Sequence, residues 1–387
     1  MTGRVVVAGV STRAAAESAA KAGFDVIALD AFGDIDQHPA VRSVTLPRRG
    51  DLPFSAYDAA QAVRDVAADA AAYLSPFENH PGAVDELGSG RTLWGNPPEV
   101  LRRVRDPFVV AGSLRRRGFA APITRVDVTS EAGAWLIKPF RSGGGHGVRL
   151  WETGTRVARG FYVQERIDGV PASIVFVAAN GRAVPLGISR QLAGDPAFGA
   201  SGYRYCGSIL ASAADDVLTD AVSDRMTALA CEAAAQFGLI GLNGIDCVIR
   251  DGTPYAIEIN PRWCSSMELV ERHYGMSLFA AHAAACAEGV LPVFDLRRAR
   301  RTAPVAGKAV VFAWSDVVAG DTRSWLGDDS VRDVPKPHER FAAGQPICTV
   351  FAQGNDYEAC ASALAARAQA IRGHFQGLDQ RGSRSAS

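Results

Sequence analysis

Three oxygen-bearing side chains near the end of one predicted hairpin could hold a divalent cation. Glu258 and Asn260 stand two residues apart in an apolar strand, so both side chains point to the same face. Asp246 lies on the preceding strand, close enough to supply a third ligand. A few hard oxygen ligands suit Mg²⁺ when a triphosphate and water fill its other positions. The alternative is an acidic strand end that forms a salt bridge with Arg262.

Two basic residues stand where they could act on phosphate oxygens. Arg262 follows the predicted metal site directly, and its fixed charge suits an oxyanion or a transferring phosphoryl group. Lys138 ends an apolar strand and is one of only four lysines among the 41 basic residues. Its compact ammonium can contact phosphate oxygens as a point charge. The alternative for Lys138 is an exposed lysine at a strand end.

A glycine-rich segment, Ser142-Gly143-Gly144-Gly145-His146-Gly147, follows the strand of Lys138. Without side chains, its backbone N–H groups can close over phosphates. It is not a Walker loop, because no G-K-[ST] closes it. A glycine-rich hairpin turn is the alternative, and we interpret His146, like His273, as structural or solvent-facing.

The predicted strand 161–167 runs into a polar hinge over residues 163–169. Gln164, Glu165, Ile167 and Asp168 could present backbone groups to an adenine edge and a carboxylate to ribose hydroxyls. The alternative is a linker between domains. These four residues, together with Lys138 and the glycine-rich segment, are the predicted nucleotide contacts.

The pattern of elements around these residues predicts a mixed fold of α/β and α+β regions. Strands at 4–10 and 24–30 flank a helix at 12–22, which predicts a parallel sheet. Hairpins at Asn180-Gly181 and Asp251-Gly252 make the middle region α+β. The predicted domains are a Rossmann-like N-terminal domain at 1–100, a two-part α+β domain at 101–300, and a small C-terminal α+β region at 301–387 with a frayed tail.

Composition narrows the function classes. The 387 residues suggest two or three domains, and 48% hydrophobic content suffices for packed cores. Acidic and basic residues number 41 each, which gives no indication of a nucleic-acid or membrane-surface protein. We expect no signal peptide and no membrane span. Seven cysteines without C-x-x-C spacing predict free thiols and a cytoplasmic location.

The order of strand lysine, glycine-rich loop, Gln-Glu hinge and Asp…E-I-N-P-R resembles the ATP-grasp superfamily over about 100–300. E-I-N-P-R looks most like the carbamoyl-phosphate-synthetase and biotin-carboxylase branch. The resemblance implies nucleotide between two α+β subdomains, with 143–147 over the phosphates and 164–167 at adenine. It also implies one or two Mg²⁺ ions on Asp246, Glu258 and Asn260, and Arg262 at the transferring phosphoryl or tetrahedral intermediate. The first domain would be the pre-ATP-grasp domain, which helps bind the acceptor.

Four further segments resemble a narrower subgroup: RAAAESAAKAGFDVIALDAFGDID, LSPFEN (74–79), LWGNPPE and GQPICTV. That subgroup includes the archaeal tyramine–glutamate ligase of methanofuran biosynthesis and relatives in bacteria with tetrahydromethanopterin-linked one-carbon metabolism. The sequence departs from the superfamily twice. Only Arg105 or its neighbours stand where many relatives carry a first lysine, and 169–172 lack the glutamate that often holds ribose.

The resemblance therefore implies a ligase that uses ATP and Mg²⁺ to join a small carboxylate to an amine through an acyl phosphate. The resemblance to the narrower subgroup suggests addition of glutamate to a one-carbon carrier of the methanofuran or methylofuran type. Dimers are common among relatives, so the resemblance also suggests a homodimer. A carboxylase acting through carboxyphosphate is one alternative, although the residues after Arg262 lack Q-x-E-H. A non-catalytic nucleotide-binding module would not need the full metal ligand set. A dinucleotide-dependent oxidoreductase is disfavoured because Gly9 begins no G-x-G-x-x-G pattern.

Overall fold

The computed structural model describes residues 3–46, 54–127, 134–302 and 304–377. The tail that we predict to be frayed, 379–387, lies outside these residues. Within them, helices and strands alternate in three connected regions, and the predicted mixed fold is confirmed.

The N-terminal region is a parallel five-stranded sheet of order β3-β2-β1-β4-β5, as the first strand–helix–strand pattern predicts. Its buried strands are apolar, with Val5, Val6 and Val7 fully enclosed. The strand order reverses between β1 and β4, and a crevice for ligands commonly opens at such a point, beyond the carboxyl ends of the strands. The elements are β1 (Arg4–Ala8), α1 (Arg13–Lys21), β2 (Asp25–Asp30), β3 (Val41–Thr45), α2 (Ala56–Ala62), β4 (Ala70–Tyr73), a 3₁₀ turn (Phe77–Asn79), α3 (Pro81–Gly88), β5 (Thr92–Trp94) and α4 (Pro98–Val104).

A small antiparallel sheet of order β6-β9-β7-β8 follows. Trp135, Ile137 and Val163 form its core, and the strand of Lys138 pairs with the strand of Gln164. Lys138 and Gln164, both predicted nucleotide contacts, therefore lie on neighbouring strands. The elements are α5 (Pro107–Arg116), β6 (Thr124–Arg125), β7 (Trp135–Pro139), β8 (Arg149–Leu150) and β9 (Phe161–Glu165).

An eight-stranded antiparallel sheet of order β14-β13-β10-β11-β12-β15-β19-β17 dominates the rest of the chain. Both predicted hairpin turns are confirmed: Asn180 and Asp251 each have φ of 51°, and a left-handed glycine follows each. The elements up to residue 302 are β10 (Val170–Ala179), β11 (Arg182–Ala193), a 3₁₀ turn (Pro196–Phe198), β12 (Tyr205–Leu210), α6 (Asp220–Phe237), β13 (Gly241–Arg250), β14 (Thr253–Asn260), α7 (Ser265–Tyr274), α8 (Leu278–Glu288) and α9 (Leu296–Thr302).

The C-terminal strands extend this same sheet, because β15 pairs with β12 on one side and with β19 on the other. The predicted C-terminal α+β region thus shares a sheet with the middle of the chain. Its final helix buries Cys360, Leu364 and Ala368 against the sheet. The elements are β15 (Val305–Phe312), β16 (Val317–Ala319), a 3₁₀ turn (Thr322–Gly327), β17 (Val331–Arg332), β18 (Arg340–Phe341), β19 (Pro346–Gly354), α10 (Tyr357–Arg372) and β20 (Phe375–Gly377).

Two sequence-based expectations concern the chain as a whole. All seven cysteines are free, as predicted. In the part of the chain that the structure describes, no helix combines the length and apolar character needed to cross a bilayer.

Candidate active site

A cavity of about 680 Å³ lies between the small sheet, the eight-stranded sheet and the loops that follow β1, β2 and β4. Most of the predicted site residues come from distant parts of the chain and meet at its wall. Ser142, Gly143 and Gly147 are not among its lining residues. Those that line it are Lys138, Gly144, Gly145, Gln164, Glu165, Ile167, Asp168, Asp246, Glu258, Asn260 and Arg262.

The three predicted metal ligands stand together on the hairpin of β13 and β14. Asp246 lies opposite Glu258, and the register then shifts by one residue because Ile257 on β14 has no partner on β13. Asn260 Nδ2 donates to Asp246 Oδ2 over 2.9 Å, and Gln191 Nε2 donates to Asp246 Oδ1 over 2.7 Å. The hairpin therefore places two carboxylates and one amide at one end of the cavity, as the i, i+2 spacing predicts.

The charges at this end of the cavity favour a bound cation. Loss of hydration and the neighbouring Glu258 carboxylate raise the pKa of Asp246 to about 7. Burial also disfavours the charged form of Glu258. The positive charges of Arg105 and Lys138 outweigh this effect, so the pKa of Glu258 lies below its ordinary value. A divalent cation between the two carboxylates would relieve their repulsion.

The donor set fits Mg²⁺ that keeps part of its coordination for phosphate and water. The Asn260 Oδ1 atom accepts from Arg262 Nη2 over 3.2 Å, and its second lone pair leaves room for a metal. Among the described residues, no group of three or more His, Cys, Asp or Glu side chains could hold a metal. A metal here would therefore depend on the amide and on ligands from a bound nucleotide.

Lys138 faces these carboxylates from the small sheet. The side chain is buried, and its Nζ donates to Gln164 Oε1 over 3.1 Å. Burial lowers the pKa of Lys138, while the charges of Glu258 and Asp246 act in the opposite direction. An ammonium held in this way has few protein partners and can turn to a polyphosphate.

The glycine-rich segment is docked against the turn before β12 and the first residue of that strand. Gly144 and Gly145 have φ of 60° and 74°, a conformation that L side chains rarely adopt. Tyr205 N donates to Gly144 O over 3.0 Å, and a Cβ at position 145 would lie 1.9 Å from Tyr203 O. Position 145 therefore requires glycine for two independent reasons.

We expect Gly145→Ala to raise the KM for ATP about 10-fold or more, because backbone misfit at such a position costs roughly 1–3 kcal/mol. Gly143→Ala is the matched control, since the nearest atom to its new Cβ is Ser75 Oγ at 3.6 Å, an ordinary contact. Steady-state kinetics with varied ATP compare the two variants. Equal effects of the two substitutions would show that docking of the loop on Tyr203 is irrelevant to nucleotide binding.

The hinge lies along the cavity, but its acids have partners. Glu165 accepts from Ile123 N over 3.0 Å, and exposed Asp168 forms an ion pair of 2.9 Å with Arg166. Gln164 is buried and engaged with Lys138. Of the two acids that we proposed for ribose, Asp168 is the more accessible.

Two arginines have partners that the sequence interpretation missed. Arg262 Nε donates to Glu78 Oε1 over 2.8 Å, and Arg105 Nε donates to Asn79 Oδ1 over 3.1 Å. Arg105 also approaches Glu258 Oε2 at 3.5 Å, which places it beside the predicted metal ligands. The segment LSPFEN (74–79) gave a signal for these partners, because it places Glu78 and Asn79 just beyond the end of a buried parallel strand.

Ser142, a predicted nucleotide contact, lies just outside the cavity lining. Its carbonyl oxygen accepts from Arg105 Nη2 over 3.0 Å and from Asn79 Nδ2 over 3.4 Å. The residue thus fixes the start of the glycine-rich segment outside the cavity lining.

Comparison with known proteins identifies a domain in the middle of the chain. Residues 104–266 match the model of the ATP-grasp domain. An uncharacterized protein of Methanocaldococcus jannaschii is 29% identical over 139 residues, and the match spans 34% of this chain and 32% of that protein.

Solved structures of similar shape extend over nearly the whole chain. The biotin carboxylase domain of 2-oxoglutarate carboxylase from Hydrogenobacter thermophilus has a TM-score of 0.70 at 14% identity, covering 97% of this chain and 91% of that one. An L-amino acid ligase from Bacillus licheniformis has a TM-score of 0.67 at 16% identity, covering 97% and 98%. N5-carboxyaminoimidazole ribonucleotide synthetase from Thermotoga maritima has a TM-score of 0.67 at 16% identity, covering 96% and 98%.

The fold, the arrangement of the cavity and the domain match lead to one conclusion: residues 104–266 form an ATP-grasp domain, and the chain has the ATP-grasp fold.

Proposed function

We propose that this protein is an ATP- and Mg²⁺-dependent ligase that converts a carboxylate into an acyl phosphate and joins it to an amine. The observation that carries the proposal is the meeting of Lys138 with Asp246 and Glu258 across one cavity, beside a docked glycine-rich loop. An ammonium and two carboxylates placed in this way can hold a triphosphate and its metal from opposite sides.

The chemistry requires positioning and charge neutralisation more than covalent catalysis. A carboxylate resists nucleophiles because of its own charge, and phosphorylation gives it a good leaving group. Lys138 would neutralise phosphate oxygens, and Arg262 would donate to the negative charge that develops during transfer. Asp246, Glu258 and Asn260 would hold Mg²⁺, which supplies further charge neutralisation when bound. Inorganic phosphate then leaves as the amine attacks the acyl carbon.

The other end of the cavity supports an acceptor site. The loops after β1 and β2 contribute Ser11, Phe32 and Asp34, and Asp333 comes from the C-terminal region. These loops follow the carboxyl ends of the parallel strands, where α/β sheets commonly bind ligands. Asp333 accepts from Arg13 Nε over 2.7 Å, and burial raises the pKa of Asp34, so this end of the cavity offers hydrogen-bonding groups to a polar acceptor.

The finer proposal is that the amine or acid is glutamate or a similar amino acid, ligated during synthesis of a methanofuran-type one-carbon carrier. Its support is the sequence resemblance of the segments around LSPFEN and GQPICTV, together with the L-amino acid ligase among the structural neighbours. The free cysteines support a reducing compartment such as the cytoplasm. A homodimer remains a prediction from the same resemblance.

ADP release tests the proposal directly. We expect ADP only when ATP, Mg²⁺, a carboxylic acid and an amine are all present, in a screen of glutamate with tyrosine, tyramine or glutamylated acceptors. ADP that requires bicarbonate instead would indicate the carboxylase alternative. Nucleotide binding without ADP release in any mixture would contradict an enzymatic role and favour a binding module.

A further inference from the structure

A carboxylate of the N-terminal region is buried behind Arg262. The Glu78 side chain is 0% exposed, and its Oε1 accepts from Arg262 Nε over 2.8 Å. Among the described residues, its Oε2 atom has no hydrogen-bond partner. A buried carboxylate oxygen without a donor is costly, so a specific reason for keeping the charge is expected.

The contacts of Arg262 indicate why a carboxylate is kept at position 78. A guanidinium has five N–H donors. One serves Glu78, Nη1 donates to Trp263 O over 3.0 Å, and Nη2 donates to Asn260 Oδ1 over 3.2 Å. Nη1 also donates to Cys264 Sγ over 3.8 Å. These four acceptors fix the plane of the group, and Arg262 lines the cavity with one N–H of Nη2 uncommitted. Glu78 thus holds the guanidinium from behind while its far edge stays available.

The neighbouring residue contacts the other half of the site. Asn79 Oδ1 accepts from Arg105 Nε over 3.1 Å, and Asn79 Nδ2 donates to Ser142 O over 3.4 Å. Arg105 Nη2 donates to the same Ser142 carbonyl over 3.0 Å. One residue therefore links an arginine near Glu258 with the start of the glycine-rich loop.

The turn that carries both residues is firmly anchored. Phe77 is fully buried in the core of the N-terminal sheet, and Val10 N donates to Ser75 O over 2.8 Å. The hydroxyl of Tyr73, at the end of β4, donates to Asn96 O over 2.8 Å and also contacts Pro261 O at 3.3 Å. The turn is thus tied both to its own sheet and to the residue before Arg262.

We infer that the 3₁₀ turn Phe77–Asn79 is a positioning element that the N-terminal region supplies to the ATP-grasp site. Glu78 orients Arg262 for phosphoryl transfer, and Asn79 orients Arg105 and the glycine-rich loop for nucleotide binding. Neither residue lines the cavity, so each acts through the group that it holds. The inference rests on the proposed ligase function.

The two residues should have different kinetic signatures. Glu78→Gln keeps an acceptor for Arg262 Nε but removes the charge, and we expect kcat to fall about 10- to 100-fold, the scale of an ångström-sized misplacement. Its KM for ATP should change little. Asn79→Ala should raise the KM for ATP about 10-fold, the loss of one charge-assisted hydrogen bond, with a smaller change in kcat.

A double-mutant cycle separates positioning from general damage. If Glu78 acts through Arg262, then Glu78→Gln should have almost no further effect on single-turnover ADP release in an Arg262→Ala background. Additive losses in the cycle would overturn the inference, as would a Glu78→Gln variant with wild-type kcat. Asn79→Ala, which leaves the Glu78–Arg262 pair intact, provides the second test if Glu78→Gln does not fold. A wild-type KM for ATP in Asn79→Ala would overturn the role of Asn79.

The ligase function and the positioning role of the turn can fail separately. If wild-type protein releases no ADP with any acid and amine, the proposed function fails. If wild-type protein turns over and both turn variants match it, the ligase proposal stands and the positioning role fails.

Discussion

Glu258→Gln is expected to reduce ligase turnover by about 1,000-fold or more while the protein remains folded. The substitution keeps the volume and removes one carboxylate of the predicted Mg²⁺ site, and metal charge stabilisation contributes several kcal/mol to such reactions. Arg105 and Lys138 lower the pKa of Glu258, so its carboxylate is charged at neutral pH and its loss changes the charge of the site. ADP release at saturating substrates measures the effect.

The exposed Glu86→Gln change serves as the control for loss of a glutamate charge, and it should leave turnover within about two-fold. Circular dichroism and a thermal melt establish that both variants are folded. Turnover of Glu258→Gln within ten-fold of wild type would contradict the metal assignment.

Lys138→Met is expected to lower kcat/KM for ATP about 100- to 1,000-fold, the cost of removing one donor aimed at developing charge. Burial lowers the pKa of Lys138, so the protein holds its ammonium at a cost in stability. A methionine of similar length relieves that cost, but it also removes the ammonium that offsets the buried charges of Glu258 and Asp246 and the donor to Gln164 Oε1. These effects oppose each other, so we expect only a small change in melting temperature, and a large loss of activity beside it is the signature of a residue retained for chemistry.

Steady-state kinetics and a thermal melt of the same Lys138→Met preparation test this prediction. Lys138→Arg is the informative companion, because a wider guanidinium in the buried space beside Gln164 should not restore full activity. If Lys138→Met lost stability and kept its activity, Lys138 would be structural.

The local part of the site could be predicted from sequence because its spacing is encoded within single hairpins. The period of two along β14 brings Glu258 and Asn260 to one face, and the Asp251-Gly252 turn brings Asp246 opposite Glu258. The parallel start of the chain was likewise visible in its apolar runs. Such features depend on neighbours within about twenty residues, where pattern and turn chemistry suffice.

The contacts between regions could not be predicted in the same way. Glu78 and Arg262 are 184 positions apart, and no periodicity links them. The pairing of β15 with β12 likewise depends on the free edge that β12 presents once the middle hairpins have formed. Local patterns grouped Ser142 with the predicted nucleotide contacts but gave no sign that its carbonyl accepts from Arg105 and Asn79. Each of these features depends on tertiary packing.

A crystal structure with Mg²⁺ and a non-hydrolysable ATP analogue tests the central claim most directly. The account predicts a phosphate oxygen about 3 Å from Lys138 Nζ. It also predicts Mg²⁺ about 2.1 Å from oxygens of Glu258 and Asn260, with Asp246 beside them. Electron density for the triphosphate outside this cavity, or a metal held without Glu258, would contradict it.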